Sequence, residues 1–118
     1  MNDYETTWQQ LIDAVTALES KTPHDERDHI TMKNCLGRLN LVQPFKWMDW
    51  PALPISEVDL DQLDIHDCTR HVTRLVRADR FSENLLFGWI RSGHFRRLCE
   101  AARQAAAGNR APSLPVAA

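Results

Sequence analysis

No stretch of this chain approaches the ~20 consecutive apolar residues that a membrane-spanning helix needs, so no spanning helix is expected. The opening residues, Met1-Asn2-Asp3-Tyr4-Glu5, are polar and acidic, unlike the basic and then apolar stretches of a secretory signal. Cysteine is scarce. Cys35, Cys68 and Cys99 are far apart and odd in number, with no Cys-x-x-Cys pair. That argues against a disulfide framework and favours a reducing, cytoplasmic location. A glycine-rich phosphate loop and a nucleophile elbow are also missing. Neither an alternating pattern of strand strength nor an internal repeat is present.

What remains has ordinary globular composition, with 43% hydrophobic and 25% charged residues, so a packed core is expected rather than disorder. A length of 118 residues fits one domain. Four Trp and four Phe supply its large apolar anchors. The pattern predicts an all-α fold, a single compact bundle of about five helices with a Pro/Trp-rich connecting loop. The helical domain covers residues 1–108. The tail 109–118 has two prolines and no periodic apolar face, and is expected to be disordered.

The helices are marked by spacing. Trp8, Leu11, Ile12, Val15 and Leu18 share one face of the first, with Thr7 and Gln10 at capping-box distance. A second is expected from about Asp25 to Leu39, its first turn acidic, with Ile30, Cys35, Leu36 and Leu39 inward. Residues 43–58 contain Pro44, Pro51 and Pro54, which forbid a long helix. They also contain Phe45, Trp47, Met48 and Trp50, which either fold down over the core or form an exposed binding patch. A short helical turn is expected near Glu57–Leu63. The third long helix starts at Ile65 behind Asp64 as N-cap, with Cys68, Val72, Leu75 and Val76 inward. Ser82 is the candidate N-cap of the fourth, with Phe81 and Leu86 at hydrophobic-staple spacing. Leu85, Leu86, Trp89 and Ile90 would be buried, and Gly93 would end the helix. In the last, from His94 to Ala107, Phe95, Leu98, Cys99 and Ala102 face inward and Arg96, Arg97, Glu100 and Arg103 outward, with Gly108 closing it.

Charge is unevenly placed. Residues 1–69 carry 13 acidic and 5 basic side chains, whereas residues 70–118 carry 3 acidic and 9 basic ones, every one an Arg. Arg70, Arg74 and Arg77 form a stripe opposite the apolar face of the third helix, a candidate surface for phosphates. No DNA- or RNA-reading motif accompanies it, and the sequence pI is about 6.2.

From the aromatic loop onward the chain carries a pattern: Phe45-x-Trp47-x-x-Trp50, then Thr73-x-x-Val76-Arg77-x-Asp79-Arg80-Phe81-x-Glu83, then Gly93-x-Phe95 and Leu98. Over about residues 40–105 this resembles a family of short bacterial proteins of unknown function. Two positions depart from that family's pattern, Asn84 in place of Gly and Phe95 in place of an aliphatic residue. The resemblance implies a shared fold and no particular chemistry.

Arg77, Asp79, Arg80 and Glu83 crowd the corner between two helices, either as an ion-pair cluster or as a holder for a phosphate or carboxylate. His66, Asp67, Cys68 and His71 are ligand types without a second ligand pair, so no metal or cofactor is expected. The cysteines all fall on apolar faces, which speaks against a nucleophile. The expectation is a small non-enzymatic interaction module that binds a protein partner or a second copy of itself. Its candidate residues are Trp47, Trp50, Arg70, Arg74, Arg77, Arg80 and Glu83. A nucleic-acid-binding accessory protein and an anion site at the Arg77/Arg80/Glu83 corner are the alternatives.

Overall fold

In the computed structural model, which describes residues 2–21, 25–81 and 85–108, the first helix (α1) spans Asp3–Glu19 and starts earlier than its spacing suggested. Asn2 is the cap: its side-chain oxygen accepts from the Glu5 N–H at 2.8 Å, and Glu5 reaches back to the Asn2 N–H at 3.1 Å. Thr7 lies inside the helix, so the capping box expected there is replaced by one five residues upstream. The Asn2 side chain also donates to the Ala106 carbonyl at 2.8 Å, joining the start of the chain to the end of the domain. Trp8, Leu11, Ile12, Val15 and Leu18 form the buried face.

Helix α2 (Glu26–Arg38) begins at Asp25, whose capping box is closed by Asp28. Asp28 is buried and also accepts from Lys21 at 2.7 Å. The inward face is Met32, Cys35 and Leu36, with Leu39 partly buried; Ile30 is 52% exposed, contrary to expectation. The face runs through 28, 32, 35, 36 and 39, and Ile30 falls to one side of that stripe.

Helix α3 (Ile65–Ala78) is capped by Asp64, whose carboxylate accepts from the Asp67 N–H at 2.8 Å. Cys68, Val72 and Leu75 are buried as spacing predicts, and so are the polar His71 and Thr73. Helix α4 (Leu85–Arg91) buries Leu86, Phe87 and Ile90, while Leu85 and Trp89 are only partly covered. Its first turn is met by Asp79, whose Oδ1 accepts from the Leu86 N–H at 3.0 Å. The Ser82 cap, Glu83 and Asn84 lie outside the described residues, as does the tail 109–118.

Gly93 turns the chain from α4 into helix α5 (His94–Ala106) with φ of 84°, a left-handed value open to glycine at little cost. Phe95, Leu98, Cys99 and Ala102 face inward. α1 packs along α5, and α3 and α4 complete the bundle against it. Trp8, Phe87 and Phe95 are its largest fully buried side chains, each contributing about 3 kcal/mol by area. Arg96 and Arg103, expected on the outward face, are partly exposed and tie α5 to α1. Arg96 pairs with Glu19 of α1 at 2.9 Å and with Glu100 at 2.7 Å, and Arg103 donates to Gln9 of α1. The described residues form five α-helices and no strand, the all-α bundle read from the sequence. None of these helices is long and apolar enough to cross a membrane.

Candidate interaction surface

The proline-rich connection between α2 and α3 contains only two short 3-10 turns, Trp47–Asp49 and Leu60–Gln62. A segment this irregular leaves backbone groups that need partners. α3 supplies them at two places. The Thr73 hydroxyl accepts from the Gln43 N–H at 2.9 Å and donates to the Leu41 carbonyl at 3.4 Å. Arg74 donates from Nη1 to the Ala52 carbonyl at 2.7 Å and from Nη2 to the Leu53 carbonyl at 2.9 Å.

Beneath that anchor lies an aromatic stack. The Arg74 guanidinium carbon sits 4.7 Å from the centroid of the Trp50 ring. The Trp50 ring also packs on the His71 ring, with centroids 4.6 Å apart, and meets the Phe45 ring in a T-shaped arrangement, with centroids 5.6 Å apart. His71 is 1% exposed. Its Nδ1 lies 3.3 Å from Arg74 Nη2. A guanidinium only donates, so Nδ1 accepts and the ring proton resides on Nε2. Nε2 has no partner among the described residues. Burial, helped by the Arg74 charge, lowers the His71 pKa to about 4. Burial also pulls the Arg74 pKa below its usual value.

The other side of the loop faces outward. Trp47 is partly covered, with its ring 6.3 Å from that of Phe81. Met48, the next residue of the same turn, is 74% exposed, and Phe81 is 78% exposed. The expected staple of Phe81 onto Leu86 would have covered that ring, and it is not covered. Arg80 beside Phe81 is exposed, and Arg77, one turn earlier, is partly so. The ion pairs among the described residues lie elsewhere, and neither guanidinium belongs to one. Asp79 between them is engaged with the start of α4.

The structure therefore divides the residues singled out from sequence. Trp47, Arg77 and Arg80 are drawn into one neighbourhood with Phe81 and Met48. Trp50 and Arg74 lie underneath, holding the loop to α3, so the Arg70–Arg74–Arg77 stripe is interrupted at its middle. Arg70 is about 10 Å along the helix axis from Arg77, and its only ion pair among the described residues is a long contact of 3.5 Å with Asp67. Glu83 is outside the described residues. Of the loose ligand set, His71 is shut under Trp50 and Cys68 is in the core, while His66 is exposed. Phe81 as a surface aromatic had no sequence signal, because its spacing to Leu86 matched a staple equally well.

The family model of a family of unknown function (DUF6508) matches residues 31–108, from α2 to the end of α5. No curated protein and no solved structure matches the chain.

Proposed function

The chain belongs to DUF6508, a family of unknown function, and from its surface we propose that it is a non-enzymatic interaction module. It binds a protein partner, or a second copy of itself, through Trp47, Met48 and Phe81 with Arg77 and Arg80 at the edge. The observation that supports this is the pairing of Trp47 with a Phe81 ring left 78% exposed. Single exposed apolar residues are common, but adjoining ones mark recognition surfaces. Trp, Phe, Met and Arg are also the side chains enriched in protein interfaces. Three buried cysteines with no disulfide among them fit a cytoplasmic protein.

The test compares the wild-type chain with a Met48→Ser/Phe81→Ser variant. Light scattering over a range of concentrations and affinity capture with identification of the bound protein are run on both. Association with a partner or a second copy, lost in the variant, supports the reading. A monomer that captures nothing specific, or a complex the variant retains, removes it.

A second reading rests on Arg77 and Arg80, which carry no ion pair among the described residues. Together with Arg70 they would meet the phosphates of a nucleic acid, or a single anion at the helix corner. Anisotropy with labelled duplex DNA and RNA at about 50 and 200 mM salt separates the readings, since phosphate contacts weaken steeply with salt.

A further inference from the structure

Away from that surface, the first turns of α1 and α3, the chain leaving α2 and the end of α5 enclose a half-open cleft of about 770 Å³. Its apolar wall is made by Tyr4, Leu41, Phe45, Ile65 and Ala106, with Trp8 at the base. Volume and lining match those of small-molecule sites, which are mostly apolar with a few polar groups that fix orientation.

The charge of the lining selects among ligands. The cleft draws most of its residues from the acidic part of the chain, where positions 1–69 hold 13 carboxylates. None of its lining residues is Asp or Glu. The charged group at its rim is Arg70, with His66 one turn before it. Arg70 is half exposed, and its contact with Asp67 is 3.5 Å, too long and too open to hold the guanidinium firmly. Asn40, which also lines the cleft, is the only described non-glycine residue in the left-handed region, with φ of 56°. That backbone closes α2: the Asn40 N–H donates to the Gly37 carbonyl and the Leu41 N–H to the Leu36 carbonyl, each at 3.1 Å, and the chain then runs into the cleft wall.

We propose that this cleft binds a small amphipathic carboxylate. Its apolar body lies along Tyr4, Phe45 and Ile65, and its carboxylate is met by the Arg70 guanidinium. The ligand would neutralise the cleft's one permanent charge, while an apolar neutral molecule would leave Arg70 unmatched. The site is separate from the Trp47–Phe81 surface and does not depend on it.

Titration calorimetry on the full chain with decanoate and with 1-decanol tests this. Decanoate should bind with one-to-one stoichiometry, about tenfold tighter than decanol, the difference a charge-assisted contact makes. Arg70→Met keeps the apolar stem, and should weaken decanoate about tenfold while leaving decanol unchanged. Ala106→Trp, checked for folding by circular dichroism, should abolish both by filling the cleft. Met48→Ser/Phe81→Ser should change neither affinity. Failure of both probes to bind assigns the cleft to another occupant and overturns the proposal. So do equal affinities for the two probes with no effect of Arg70→Met, and so does loss of decanoate binding in the Met48/Phe81 variant alone.

Discussion

Arg74 lies across the face of Trp50, its guanidinium carbon 4.7 Å from the ring centroid, while the same fork donates to the Ala52 and Leu53 carbonyls. One side chain thus fixes both the ring and the backbone of the loop. Lysine keeps the charge but has no planar fork, so it cannot reproduce both hydrogen bonds and the stacking. Arg74→Lys should lower stability by about 1–2 kcal/mol, and should make the 47–53 segment more sensitive to protease. Urea denaturation followed by Trp fluorescence measures the first, and limited proteolysis the second. A lysine variant as stable and as resistant as wild type would mean that the loop is held by other contacts.

His71, under the same ring, makes stability depend on pH. Its pKa is about 4 in the folded chain, against an ordinary 6.5. Between those values the unfolded chain binds a proton on this residue and the folded chain does not. Stability is therefore full above about pH 6.5 and declines as pH falls toward 4, by up to about 3 kcal/mol. His71→Phe removes the titrating group together with the Nε2–H that has no partner among the described residues. Its stability should be flatter over that pH window in thermal melts, with a difference from wild type that grows on acidification. Parallel curves would show that the folded-state pKa is not depressed.

The Trp47–Met48–Phe81 surface should be nearly neutral for folding. Phe81 and Met48 are largely exposed, so replacing them with serine removes little buried area. The double variant should melt within about 0.5 kcal/mol of wild type while losing any partner. A loss of several kcal/mol would instead identify the pair as covered in solution, part of the core and not a recognition surface.

Phosphate contacts predict a different response. If Arg70, Arg77 and Arg80 hold nucleic acid, replacing all three with Gln should weaken binding by a similar factor for every sequence and flatten its salt dependence. Arg74→Gln should leave nucleic-acid affinity unchanged, because that guanidinium is committed to the loop. Selective loss in the Arg74 variant, with the triple variant unaffected, would contradict this assignment of roles.

The helices were legible where local rules decide them. Asp64 before an apolar-periodic run is a cap by chemistry alone, and Gly93 ends α4 because few other residues take its backbone angle. Thr7 misled because two capping-box patterns compete, and the upstream one gains from the Asn2 bond to Ala106, a contact across 104 positions. Ile30 misled because an apolar residue near a helical stripe need not be on it. The site was less legible. Trp47 and Trp50 look alike in sequence and both are partly covered, yet one lies beside the exposed Phe81 and the other is pressed onto the buried His71. Arg74 reads as one of three stripe residues until the loop folds back over it. These differences are set by how a proline-rich segment returns to α3, which no periodicity encodes.

Gly93 tests whether the α4–α5 corner is set by backbone or by space. Its φ is 84°, and a Cβ there would find its nearest neighbour, a Glu19 carboxylate oxygen, at 3.6 Å, an ordinary contact distance. Crowding therefore adds little, and the cost of a side chain is conformational, about 1–2 kcal/mol for alanine in the left-handed region. Asparagine occupies that region more readily than alanine. The expected order of stability in thermal melts is Gly, then Gly93→Asn, then Gly93→Ala. If space governed instead, the larger asparagine would be the worse of the two, and the Glu19–Arg96 pair beside it would be disturbed. The order of the two variants therefore separates the explanations, whatever the absolute values.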